Sequence, residues 1–232
     1  MDIIQKIIIW AIPVLFAITL HEVAHGWVAR YLGDPTAARL GRLTINPIRH
    51  IDPIGTILVP AIMVFLPGNI IFGWAKPVPV NVSLLRNPKR DMTIVAVAGP
   101  ASNFAMAIFW ALIIKCFIGS AVSGSSHAEF FVFMGIAGMA INLMLMTLNL
   151  LPIPPLDGGR VLAGIVPNKF SMMLNRIEPY GFFILIGLVA FGWLGKLIII
   201  PFIYSLNFIL SIVNVGAEDF FPYLYQLLGQ SS

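Results

Sequence analysis

Only one cysteine occurs in the chain, Cys116, so neither an internal disulfide nor a thiolate metal cluster can be built. It lies in an apolar run and reads as a small packing residue. Charge is nearly as scarce: aspartate, glutamate, lysine and arginine make up 10% of 232 residues, against about 25% in an ordinary soluble domain. With 59% hydrophobic residues, that deficit makes the chain an integral membrane protein, long enough for about four to six spans. The net charge of +4 is too small for a nucleic-acid surface and reflects basic loops. Internal repeats and low-complexity linkers are absent, so a single domain over 1–232 is expected, with a core at 3–166. Met1-Asp2 offers no basic n-region, and no removable signal peptide is expected.

What is present begins with a long first helix. Ile3 to Leu20 carries one charge, Lys6, and the helical pattern runs on to Leu32, where Gly33-Asp34-Pro35 stops it. Thirty helical residues span about 45 Å, more than the roughly 30 Å hydrocarbon core. A basic loop follows. The apolar patch Ile54 to Leu66 is short, contains Pro60 and suits a re-entrant element. Phe72 to Ser83 holds Pro77 and Pro79, which suit only an edge strand or extended loop. Met92 to Ile118 and Phe130 to Leu151 are clear spans. Tyr180 to Leu194 and Leu197 to Val215 form a C-terminal helical hairpin broken around Gly195-Lys196, followed by an interfacial aromatic tail over 218–223. The expected fold is an all-α polytopic membrane protein: a helical bundle with a re-entrant, β-like segment near 54–82 and a hairpin and tail over 180–232.

Residues 21 to 25 read His-Glu-Val-Ala-His. Positions i and i+4 share a helix face, so His21 and His25 can aim both imidazoles at one metal ion, with Glu22 beside them as general base. Ionisable groups in hydrocarbon are costly and usually functional. A catalytic zinc site ordinarily takes a third protein ligand, and the candidates are His50, His127, Asp34, Asp52, Glu129, Asp157 and Glu178. Asp34 lies beyond the helix stop and suits a turn. Asp157 follows a span that Pro152, Pro154 and Pro155 unwind, which sets its carboxylate in irregular backbone at membrane depth. Gly158-Gly159 lets that backbone approach another group closely. Asp157 is favoured; a turn aspartate paired with Arg160 is the plain alternative. Asn149, eight residues earlier, could donate to a peptide carbonyl as charge develops. Asn142 and Gly99-Pro100-x-x-Asn103 read first as helix packing.

If Asp157 joins the histidines, the helices leading to both arms end on the same side, so an odd number of crossings separates them. Lysine and arginine counts agree: eight in residues 30–90, none in 119–128 and three in 158–178. The positive-inside rule puts the first and third loops in the cytoplasm. The site then opens toward the cytoplasmic side, with the N-terminus outside.

His-Glu-Val-Ala-His in a first span, Phe-Gly-Trp-Ala-Lys-Pro-Val-Pro-Val-Asn, Ala-Gly-Pro-Ala-Ser-Asn-Phe, and Asn-Leu-Leu-Pro-Ile-Pro-Pro-Leu-Asp-Gly-Gly-Arg occur in this order over about residues 10–170. Together they resemble the site-2 protease family of intramembrane zinc metalloproteases, in its compact branch without an inserted peptide-binding domain. The resemblance implies one zinc per chain on His21, His25 and Asp157, a general base at Glu22, an assisting amide at Asn149 and a membrane-associated β segment near 72–82.

The leading function is hydrolysis of peptide bonds in transmembrane substrates within the bilayer of the cell membrane. Substrate helices hide their scissile bonds in internal hydrogen bonds, so a substrate must unwind, and an edge at Val78, Val80 and Val82 could hold it by strand addition. A metal or proton transporter is the alternative from another class, but it would commonly show inverted repeats. An inactive zinc-binding scaffold is the third reading, against which the retained Glu22 argues.

Overall fold

The computed structural model describes residues 2–58 and 76–229. The first helix, α1 (Ile3–Tyr31), starts from a capping box in which the Asp2 carboxylate accepts the Gln5 N–H at 2.7 Å and Gln5 Oε1 accepts the Asp2 N–H at 3.1 Å. It stops at the expected place, where Gly33 adopts a φ of +117° that favours glycine. A single turn, α2 (Thr36–Arg39), follows. Two long antiparallel helices come next, α3 (Pro88–Val122) and α4 (Ser126–Asn149). Pro88 sits in the first turn of α3, and Asp91 accepts the Asn87 N–H at 2.8 Å, so this helix starts four residues before Met92. The rest of the chain forms α5 (Asp157–Ile165), α6 (Asn168–Ile177), α7 (Gly181–Ala190), α8 (Trp193–Val213) and α9 (Ala217–Leu227).

Among the described residues, five helical stretches are long and apolar enough to cross a membrane: α1, α3, α4, the run from α6 through α7, and α8. The protein is an all-α polytopic membrane protein. No β-strand occurs among the described residues; residues 76–81 are extended but unpaired as a ladder. Most of the re-entrant patch at 54–66, and the start of the β-like segment, lie outside the described residues. The hairpin breaks earlier than the sequence suggests. Phe191 and Gly192 separate α7 from α8, with Gly192 at φ +69°, while Gly195 and Lys196 lie inside α8. Gly192 takes the left-handed backbone that lets the chain reverse, and Gly195 is left as a helical residue.

Helix α1 runs antiparallel to α3: Ala17 and His21 pair with Asn103, and His25 with Val95. Helix α3 runs antiparallel to α4, with Asn103 beside Asn142 and Ile114 beside Gly135. Helices α1 and α4 are therefore parallel. The Arg86 N–H donates to Leu32 O at 3.2 Å, so the segment between α1 and α3 returns to the end of the bundle from which it left. Small residues let the α3–α4 backbones approach: Gly135 faces Ile114, and Gly138 faces the Trp110 indole. Ile114, Phe133, Ile136, Met139 and Leu143 fill this seam, and Ile209 of α8 and Phe220 of α9 join the same core. Lys115 reaches across it to donate to Asn214 O at 2.6 Å, which satisfies a carbonyl beyond the end of α8.

A Cβ at Gly138 would overlap the Trp110 ring, whereas one at Gly187 has nothing within 4 Å. Gly138→Ala should lower stability by about 1–3 kcal/mol through overpacking. Gly187→Ala should leave it unchanged or raise it by roughly 0.5–1 kcal/mol. Thermal unfolding of both purified variants in one detergent measures the difference, and equal midpoints would contradict a glycine-dependent seam.

Candidate metal centre

Two chain segments bring the candidate ligands together. On α1, His21 and His25 lie one turn apart with ring centroids 4.6 Å from each other. The second arm forms where α4 ends at Asn149. Proline at 152, 154 and 155 denies the chain further helical hydrogen bonds, and it folds back over Leu150–Leu156. Asp157 then opens α5. This revises the expected irregular setting: the unwound run ends at Leu156, and the Asp157 carboxylate heads a helix whose N-terminal amides favour it. The fold-back is tight enough that a Cβ on Gly158 would strike the Leu150 and Leu151 carbonyls, and one on Gly159 the Pro154 backbone.

The three donor atoms form a nearly equilateral triangle. His21 Nε2 and His25 Nε2 are 3.1 Å apart, and each is 3.2 Å from Asp157 Oδ2. Side by side at such distances, these groups need a positive charge between them. The outer ring nitrogens show why. His25 Nδ1 donates to the backbone carbonyl of Val95 at 2.7 Å, which can only accept, so its neutral ring has a bare Nε2. His21 Nδ1 contacts Asn103 Oδ1 at 2.6 Å with the same consequence. Asp157 Oδ2 is sealed from solvent without a hydrogen-bond partner. One proton serves one pair of these atoms; a cation serves all three. The edges of a tetrahedron with bonds of roughly 2.0–2.1 Å are about 3.3 Å, so the triangle fits zinc. The residues are 8%, 9% and 6% exposed for His21, His25 and Asp157, and they are the one such histidine–carboxylate cluster among the described residues.

The other candidate ligands have different work. Asp34 is fully buried and accepts the Thr36 N–H (2.9 Å), the Thr36 hydroxyl (2.5 Å) and the Asn81 N–H (2.6 Å). Burial alone would raise its pKa, but these bonds and Arg39 hold it below the usual carboxylate range. His50 Nε2 donates to Thr44 O at 2.9 Å. Glu178, not Asp157, pairs with Arg160 at 2.9 Å. His127 is exposed at the opposite end of α4, and Glu129 there accepts from Gln226.

A cavity of about 190 Å³ opens on the triangle, lined by Glu22, Val78, Val80, Asn149 and Arg160 among others. A larger hollow of about 270 Å³ lies beside Gln5 and Glu129 at the far end of the bundle, without such a donor set. Glu22 Oε2 accepts the Val78 N–H at 2.7 Å. The Asn149 amide donates to Leu145 O of its own helix at 2.9 Å. Val82 is not brought to the cavity; it starts the turn after the extended run and is 42% exposed. Two residues read from sequence as packing stand at the site instead. A Cβ on Gly99 would collide with both imidazoles, and Asn103 holds His21. Their clustering with Pro100 as Gly-Pro-x-x-Asn at the level of the metal motif was the available signal.

The description Peptidase family M50 matches residues 112–191, which contain Asp157. Putative zinc metalloprotease YwhC of Bacillus subtilis is 38% identical over 75% of this chain and 76% of its own length. Putative zinc metalloprotease Rip2 of Mycolicibacterium smegmatis is 29% identical over 75% of this chain and 64% of its own, and Rip2 of Mycobacterium tuberculosis 32% identical over 76% and 63%. No solved structure matches. With 38% identity to YwhC over three quarters of both chains, the chain belongs to peptidase family M50, the site-2 protease family of membrane metalloproteases.

Proposed function

We propose that the chain hydrolyses peptide bonds of membrane-spanning protein substrates inside the bilayer, with one zinc ion held by His21, His25 and Asp157 and the site opening toward the cytoplasm. What carries this reading is the convergence of three bare donor atoms at 3.1–3.2 Å with Glu22 on the rim of the same cavity. Bound there, zinc would polarise the scissile carbonyl and activate water at neutral pH.

The chain's own residues do the rest. Glu22 takes a proton from the attacking water and returns it to the leaving amine. Asn149 exchanges its bond to Leu145 O for one to the carbonyl oxygen as negative charge develops there. Lys76 to Val80 supplies the docking edge. Pro77 and Pro79 carry no N–H and the Lys76 N–H is taken by His50 O, so Val78 and Val80 provide the remaining donors of this run, and alternation puts both on one edge. Val78 N–H is held by Glu22. A substrate carbonyl that accepts it in strand addition frees the base as the substrate seats. The small cavity fits this order of events, because pockets that enclose even a drug-sized ligand are roughly 300–1,000 Å³.

Purified protein should hold about one zinc per chain and lose it in His25→Ala and Asp157→Ala. Asp34→Ala should keep it, since that carboxylate serves Thr36 and Asn81. Metal analysis after gel filtration decides, and full occupancy in Asp157→Ala overturns the ligand set.

Glu22→Gln should retain zinc while cleavage of a membrane-embedded substrate falls by roughly 10²–10⁴-fold. Asn149→Ala should lose about 10²–10³-fold. Undiminished turnover by Glu22→Gln would remove the hydrolytic reading.

Orientation is accessible by labelling. Thr44→Cys, Asn87→Cys and Ser123→Cys, each in a Cys116→Ser background, are treated with an impermeant thiol reagent outside intact cells. Ser123→Cys alone should react, because the loops flanking Thr44 and Asn87 are arginine-rich and the Ser123 turn is not. Outside labelling of Asn87→Cys would mean a full membrane crossing at 54–66 and overturn the assignment.

A further inference from the structure

Zinc ligation through His21 Nε2 requires the ring proton on Nδ1, and the partner of Nδ1 is an amide, which could in principle present either end. Two backbone carbonyls remove that freedom. Asn103 lies 3.2 Å from Ala17 O and 2.9 Å from Asn142 Oδ1. A carbonyl only accepts, so the end of Asn103 facing Ala17 is its NH₂. Its oxygen is then the end 2.6 Å from His21 Nδ1. Asn142 is fixed the same way, because its own NH₂ donates to Gly138 O at 2.8 Å, which leaves its oxygen for Asn103. Both amides are 0% exposed, so no water competes for either end.

We infer that Asn103, braced by Asn142, is the positioning residue that sets the His21 tautomer, so that an amide relay through three helices keeps the Nε2 lone pair on the metal. The inference rests on the ligand set proposed above. It also separates the two histidines. His25 is set directly by the Val95 backbone, which no side-chain substitution removes, whereas His21 depends on side chains of α3 and α4. Gly138 is common to the relay and to the Trp110 contact, so the polarity of the relay is tied to the register of the α3–α4 seam.

The test has two readings. In metal-free wild type with ¹⁵N-labelled histidine, recorded alkaline enough that the rings are neutral, His21 should carry its proton on Nδ1; a proton on Nε2 overturns the inference whether or not any variant folds. In Asn103→Ala, His21 should shift toward the Nε2–H tautomer while His25 stays as it is. Zinc affinity, by competition with a chelator, should then fall by about 10–100-fold. Asn142→Ala should lose less, because Ala17 O still orients Asn103. Wild-type affinity in folded Asn103→Ala, or an equal change at His25, refutes the relay. If His21→Ala and Asp157→Ala bind zinc as wild type does, the ligand set has failed instead, a result that the metal-free spectrum distinguishes.

Discussion

Three lone pairs crowded at 3.1–3.2 Å, on His21, His25 and Asp157, are the constraint from which the rest of the architecture follows. On the tautomers that their outer acceptors select, each imidazole turns its proton outward, and the carboxylate oxygen has no hydrogen-bond partner. Without a cation, that arrangement is repulsive and desolvated, the costliest kind of buried polar group. The fold has to supply enough rigidity to keep it assembled. Much of that comes from α3, which contributes no ligand. It supplies both outward acceptors, Val95 O and Asn103, and at Gly99 it withholds a side chain so that two rings fit against its backbone. In a membrane, where packing and hydrogen bonds rather than hydrophobic expulsion bring helices together, the ligand geometry and the helix contacts are one set of interactions.

The extended run past the site is held by a different device. Lys76 is tied at both ends of its peptide, its N–H to His50 O and its carbonyl to Arg42 Nη2, each at 2.9 Å. Asn81 is tied to Asp34 at 2.6 Å. Among the described residues, the middle bond, Val78 N–H to Glu22, joins the run to the metal motif. Because its folded pKa lies below the ordinary carboxylate value, Asp34 contributes stability above that ordinary value, and the contribution fades as pH falls through the lowered one. The clamp thus stands throughout the neutral range. In the docking proposed above, a substrate would displace one hydrogen bond in a segment tied at both ends.

The spans and the metal motif were legible because both are local. Charge-free runs of helix length and histidines four apart can be read without knowing what packs where. Asp157 was legible for a less direct reason: three prolines in four positions mark a helix that must unwind, and a carboxylate beyond them needs a partner. Its place as the first residue of α5 was not, since nothing local says on which residue a new helix starts. The hairpin break was misplaced by three residues because Gly192 and Gly195 look alike in sequence; only the backbone reversal selects Gly192. Asn103 reads in the sequence as an amide in hydrocarbon, with nothing local to tie it to His21. It is 82 residues from His21, and an amide bonded to a neighbouring helix has the same sequence signature as one bonded to a metal ligand.

The connection between the arms follows from their chemistry. His21 and His25 lie near the C-terminal end of α1, and Asp157 comes just after the C-terminal end of α4, so those helices must run parallel if the arms are to meet. A parallel pair requires a return crossing, and α3 is that crossing, bonded to α1 through Asn103 and Val95 and to α4 through Asn142. The segment between α1 and α3 ends where it began, with Arg86 bonded to Leu32. This leaves the two halves of the bundle unlike. Away from the site, Ile9, Ile114, Ile118, Val132, Phe133 and Phe220 pack into a continuous apolar core. At the other end the helices are parted by the loop of residues 76–81 and the fold-back at 150–156. Among the described residues, the cavity on the donor triangle opens at this end, where water, which peptide hydrolysis consumes and hydrocarbon excludes, can reach the three donor atoms.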